Sequence, residues 1–106
     1  MNTHQLVLVT LVVEEVLEER VTQELMEMGA SGFTVCDSRG RGSRGLRTGN
    51  IPGQGVRVEA LVSPEVADVV FRHAESAWFP HYAVVAWRSA VEVVRGDKYV
   101  ESRERE

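Results

Sequence analysis

The sequence predicts an α+β domain in which four strands form one antiparallel sheet and two helices cover a single face of it. Three observations carry this. Two kinds of strand-like segment occur, one a continuous β-branched run and the other alternating; two segments carry helical apolar spacing; and these follow one another in the order β-α-β-loop-β-α-β. Two β-α-β halves in that order make the ferredoxin-like βαββαβ sandwich. At 106 residues the chain is read as one domain spanning residues 1–106.

The first strand is Leu6-Val7-Leu8-Val9-Thr10-Leu11-Val12-Val13, a run rich in β-branched residues that suits a central strand or one covered on both faces. From Glu14 to Met28 the period changes: Leu17, Val21, Leu25 and Met28 share one face, and Glu14, Glu15, Glu18 and Glu19 crowd the start, where the helix dipole favours acids. Gly29 is the expected stop. Gly32-Phe33-Thr34-Val35-Cys36 follows as the second strand.

Val56, Val58, Ala60 and Val62 alternate with Arg57, Glu59 and Leu61, which predicts a half-buried third strand. Ser63-Pro64 then opens a second helix as N-cap and first helical residue, with Val66, Val69, Val70, Ala74 and Ala77 as its apolar stripe and Pro80 as its end. Tyr82 to Val94 reads as strand, long enough to imply a bulge or two short strands. A polar tail is expected over about 98–106. Two helices protect one side of such a sheet, whereas the first strand is apolar on both, so burial of the second side against copies of the same chain is expected.

Between the second and third strands lies Asp37-Ser38-Arg39-Gly40-Arg41-Gly42-Ser43-Arg44-Gly45-Leu46-Arg47-Thr48-Gly49, inside a loop of roughly 17 residues over about 38–54, far longer than the 2–5 residues of ordinary hairpins. From Ser38 through Val58 there are five arginines and no acid, so this stretch carries about +5 in a chain of net charge −4. Glycine allows close backbone approach, and arginine offers a planar charged fork to phosphate or carboxylate oxygens. Composition leaves two readings open, an anion-binding loop and a solvated basic loop. The acidic balance elsewhere argues against a general nucleic-acid binder, and no DNA partner is expected.

The order of elements, the long loop, and Gly29-Ala30-Ser31-Gly32-Phe33-Thr34-Val35 followed by Gly40-Arg41-Gly42-Ser43-Arg44 and Arg47 together resemble the PII signalling superfamily. Within it they are similar to the PII-like proteins of the bicarbonate-uptake and carboxysome type, in which a Gly-Ala-x-Gly-Tyr-Thr-Val strand leads to Gly-Lys-Gly-Ser-Arg-x-Val-Arg. The resemblance implies a homotrimer that binds an adenine nucleotide, ADP or AMP foremost with ATP and cyclic AMP as further candidates, in clefts between subunits. Bicarbonate is a second ligand compatible with it. The loop, there called the T-loop, would act on a bicarbonate transporter or a carboxysome-related protein, from a cytoplasmic location with recruitment to the inner membrane or carboxysome.

Carried over by the same resemblance, Ser43, Arg44 and Arg47 match phosphate-contacting positions, and Gly40 and Gly42 the close-approach glycines. Gly32, Phe33 and Thr34 match the strand lining the adenine side, and Gly96 the glycine that completes the pocket. Arg41 stands where the motif usually has lysine. Asp37-Ser38-Arg39 replaces a more neutral lead-in, and the paired-cysteine C-terminal loop of some bicarbonate-transporter regulators is absent. No tyrosine occurs between Gly32 and His81, so the tyrosine modification of enteric PII proteins has no acceptor in the loop.

Other polar residues are read plainly. Cys36, the lone cysteine, is expected to be a small buried side chain. His4, His73 and His81 have no metal-ligand spacing, and Glu14, Glu15, Glu18 and Glu19 form a solvated helix face. Trp78 and Trp87 are expected in the core or at a subunit interface. A small nucleotide hydrolase would need a Walker A run or a loop acid for Mg²⁺, and neither is present, so no enzymatic activity is expected. An RNA-binding ferredoxin-like domain is the alternative, although Leu6 to Thr10 offers no aromatic for base stacking.

Overall fold

The computed structural model describes residues 1–40 and 55–95. Its elements are β1 (Thr3–Val13), α1 (Glu18–Glu27), β2 (Thr34–Ser38), β3 (Gly55–Val62), α2 (Pro64–His73) and β4 (Val85–Val94). A 3-10 turn, Glu15–Leu17, leads into α1, and a π-helical turn, Ala74–Trp78, extends α2. The strands form one sheet in the order β2-β3-β1-β4, antiparallel at every pairing. This is the expected ferredoxin-like α+β sandwich.

β1 is central, as its apolar run requires. Its odd residues Val9, Leu11 and Val13, with Val56, Val58, Ala60 and Val62 of β3, pack against Val21 and Leu25 of α1 and Val66, Ala67 and Val70 of α2. Full burial of each valine or leucine among them contributes about 1.5–3 kcal/mol, so this layer supplies most of the fold's driving force. Trp78, at the end of the π-turn, is 1% exposed and completes the layer, while Val69 and Ala77 of the expected stripe are only half-buried.

The helix ends follow local chemistry. Ser63 Oγ accepts from the Val66 amide at 3.2 Å with Pro64 in the first helical position, the predicted N-cap. At the end of α1, Gly29 adopts φ 117°, which frees Ala30 N–H to reach Leu25 O at 3.1 Å and Gly29 N–H to reach Met26 O at 3.2 Å. That is a Schellman closure, and it needs a residue without a Cβ.

Three expectations require correction. The second strand runs Thr34–Ser38 and not Gly32–Cys36, because its ladder partners on β3 span Glu59 to Gly55 and the preceding residues are spent crossing from the helix to the sheet edge. The last strand is one unbroken strand, Val85–Val94, with ten consecutive partners on β1. Tyr82 belongs to the turn before it, since its amide donates to Trp78 O at 3.0 Å. Cys36 is exposed, because β2 is the edge strand and Cys36 faces away from the helices.

Candidate functional site

The arginine-glycine segment joins β2 to β3 at one end of the sheet. Ser38 pairs with Gly55 and Asp37 with Val56; Val56 in turn pairs with Val13, and Val12 with Val85. The base of the long loop, the C-terminal end of β1 and the start of β4 therefore share one sheet end. From β2 to β4 is three inter-strand steps, about 14 Å.

Of the residues expected at a ligand site, Gly32, Phe33, Thr34 and Gly40 are described. Arg41, Gly42, Ser43, Arg44, Arg47 and Gly96 lie outside the described residues, as do most of the expected loop over 38–54 and the tail over 98–106. Gly32 and Phe33 precede β2, Thr34 is its first residue, and Gly40 lies two residues beyond its end. Thr34 and Ser38 are about 13 Å apart along the strand, so the two groups occupy opposite ends of the edge strand and do not converge within one chain. Phe33, Thr34 and Gly40 are exposed. A Cβ on Gly32 or Gly40 would meet nothing within 4 Å, so nothing in the described chain requires glycine at either position.

The face of the sheet opposite the helices carries Thr34 and Cys36 of β2, Arg57, Glu59 and Leu61 of β3, the even residues of β1, and Val85, Trp87 and Val91 of β4, as the strand registers dictate. Val85 is 55% and Trp87 39% exposed there. A polar band crosses this surface. Glu59 accepts from Thr10 Oγ1 at 3.4 Å and from Arg57 Nε at 3.3 Å, and the Arg57 guanidinium lies 5.6 Å from the Trp87 ring centroid.

A second polar cluster ties the two helices together. Glu24 Oε1 accepts from Trp78 Nε1 at 2.8 Å and pairs with His73 Nε2 at 2.7 Å, and Glu24 Oε2 accepts from Arg20 Nε at 3.0 Å. Arg20 Nη1 donates onward to the Tyr82 hydroxyl at 2.8 Å. Partial burial pushes the Glu24 carboxyl up, but the bonds from His73, Trp78 and Arg20, with the Arg20 charge, outweigh it and hold the group at about 2. The i, i+4 spacing of Arg20 and Glu24 was the one readable sign of this cluster. The convergence of Trp78 and His73 on Glu24 depends on the π-turn, which no spacing rule announces.

One antiparallel βαββαβ layer, with both helices on one face and a long arginine-glycine connection between the second and third strands, defines a ferredoxin-like protein of the PII kind. The chain belongs to the nitrogen regulatory protein P-II family, whose model matches residues 6–98. It is 45% identical to a PII-like signalling protein from Thermus thermophilus, whose structure it matches with a TM-score of 0.81 over 93% of this chain and 99% of that one. It is also similar in fold to CPII from Thiomonas intermedia. The structure of that protein with ADP, AMP and acetate matches with a TM-score of 0.79 at 19% identity, covering 93% and 98% of the two chains. Its structure with ADP, AMP and bicarbonate matches at 0.77 and 21%, covering 92% and 96%.

No helix among the described residues is long and apolar enough to cross a membrane.

Proposed function

We propose that this chain is a non-catalytic sensor that binds an adenine nucleotide, ADP or AMP in the first place, and signals through its arginine-glycine loop. The observation that carries the reading is membership of the P-II family across residues 6–98, together with a CPII of the same fold solved with ADP, AMP and bicarbonate. ATP and cyclic AMP are the competing nucleotides. Bicarbonate is proposed as a second anion, accommodated by the surplus of fixed positive charge in the loop.

The binding unit is proposed to be a homotrimer with its ligand in the cleft between subunits. Two features support an inter-subunit cleft. The expected adenine-side residues and Gly40 lie on and beside an exposed edge strand, and the sheet face with Val85 and Trp87 has apolar surface to bury. In this reading Gly32, Phe33 and Thr34 line the base side, while Gly40, Arg41, Gly42, Ser43, Arg44, Arg47 and Gly96 serve the phosphates. The lack of close neighbours at Gly32 and Gly40 is consistent with space reserved for a ligand or a second subunit.

The finer assignment is to inorganic-carbon metabolism, with a bicarbonate transporter or carboxysome-related protein as the loop's partner in the cytoplasm. Charge-assisted hydrogen bonds from arginine to phosphate would offset the entropy of ordering the loop, and this links nucleotide binding to what the loop can contact. Titration calorimetry with AMP, ADP, ATP and cyclic AMP, each with and without bicarbonate, tests the reading. Saturable binding of at least one nucleotide is expected, and the absence of heat for all four at millimolar ligand would overturn it.

A further inference from the structure

We infer that Glu24 is a positioning residue for the segment 79–84, the turn that delivers the chain from α2 into β4. This segment starts β4 at the sheet end that also holds the base of the long loop. Its backbone is anchored to its own helix: Phe79 N–H reaches Ala74 O at 2.8 Å, and the His81 and Tyr82 amides reach Trp78 O at 3.1 and 3.0 Å. Trp78 is thus the post on which the turn is built, and the position of Trp78 determines that of the turn.

The post is packed into the core, and its one polar atom is held by a carboxylate. The indole of Trp78 is 1% exposed, and a buried indole N–H requires an acceptor, which Glu24 Oε1 provides. The same oxygen takes His73, whose ring packs edge-on against Trp78 at 5.1 Å between centroids. The other oxygen orients Arg20, which then holds Tyr82 twice, by a bond to its hydroxyl and by the guanidinium 5.4 Å from its ring centroid. One side chain on α1 therefore holds the turn at two points, Trp78 directly and Tyr82 through Arg20. The π-turn that carries Trp78 here is an irregularity of the kind that recurs at functional sites. Loss of Glu24 would release these polar tethers together, while the apolar packing of Trp78 with the β1 and β3 side chains stays in place.

The functional consequence rests on the nucleotide-sensor reading: a turn fixed at the sheet end that holds the loop base presents a preformed surface to the ligand, whereas a loosened one must be ordered on binding. The structural claim does not depend on that reading. The experiment compares Glu24→Ala, Glu24→Gln and Arg20→Ala in the full chain by backbone and indole hydrogen exchange, and then by ADP titration. In Glu24→Ala the Trp78 indole and the amides of Phe79 and residues 81–84 should exchange about tenfold faster while those of β1 and β3 keep their rates. Glu24→Gln retains an acceptor for the indole and should protect Trp78 while loosening Tyr82; Arg20→Ala should do the same. Should Glu24→Ala fail to fold, the latter two decide.

Acceleration spread equally over β1, β3 and the turn, or no acceleration in any variant, would overturn the inference. With a wild type that binds ADP, affinity should fall about tenfold in Glu24→Ala, and faster exchange at the turn with unchanged affinity would overturn the consequence for the ligand while supporting the tether. A wild type that binds no nucleotide would sink the sensor reading, while the exchange measurements would still decide whether Glu24 holds the turn.

Discussion

Arg57 reaches across β1 to lie over the ring of Trp87, 5.6 Å from its centroid, while the same guanidinium pairs with Glu59 at 3.2 Å. The pair marks the sheet face that the helices leave open. A guanidinium over an indole can remain at a dry interface, since its charge is balanced by Glu59 and its flat face is complementary to the ring.

If this face closes a trimer, light scattering should give about three times the 11.8 kDa chain mass. Trp87→Glu would set a second carboxylate beside Glu59 in the interface and should shift the particle to the monomer mass with its circular dichroism intact. A wild type that scatters as a monomer at micromolar concentration would remove the inter-subunit cleft and the site proposed within it.

The Glu24 cluster predicts an acid limb in stability. The carboxyl is lowered from 4.5 to about 2 in the folded chain, so the folded state binds its proton more weakly than the unfolded state does. Its contribution is fully present above about pH 4.5 and is lost as pH falls toward 2. The polar groups set against it are the Arg20 guanidinium from α1 and the His73 ring from α2, with the Tyr82 hydroxyl beyond Arg20 and the Glu19 and Glu27 carboxylates on the same helix surface. Urea melts between pH 5 and pH 2 should show a shallower decline for Glu24→Gln than for the wild type. Parallel curves would mean that other carboxylates govern acid unfolding.

Gly29 offers a cleaner stability test because one backbone angle decides it. At φ 117° an alanine Cβ is strained, so Gly29→Ala should cost about 1–3 kcal/mol. Urea unfolding measures this directly, and a cost below about 0.5 kcal/mol would show that the α1 terminus relaxes to another closure.

Much of the fold was legible because it is written in short-range patterns. The run Leu6 to Val13, the stripe Leu17, Val21 and Leu25, and Ser63-Pro64 each state their structure locally, and Gly29 states where α1 ends. The features that local pattern does not carry depend on partners distant in sequence. Phe33 has a strand-like side chain but no ladder partner, and Tyr82 looks like strand but is captured by Trp78 O. Cys36 has the size and polarity of a core residue, but the strand order places it on an exposed edge. The candidate site was legible only as a motif, since its arginines make no pattern with the apolar period. The Glu24 cluster was hidden because its members come from three segments of the chain joined by a π-turn.

Arg44 and Arg47 remain the residues on which the nucleotide proposal is most exposed to test. Three residues of extended chain span about 10 Å, so both can reach one phosphate group only if the loop curls, and the glycines at 42, 45 and 49 permit that. A charge-assisted hydrogen bond is worth about 1.5–3 kcal/mol, so Arg44→Ala or Arg47→Ala should weaken ADP binding by roughly 10- to 100-fold with assembly intact. Adenosine, which lacks phosphate, should bind weakly and lose little on either change. Arg41→Ala should cost less than either if that side chain faces solvent or the second anion. Calorimetry on the three variants with ADP and adenosine separates these cases. Two variants that bind ADP as tightly as the wild type would take the phosphates away from this loop and leave its arginines to a macromolecular partner, with RNA the first to test.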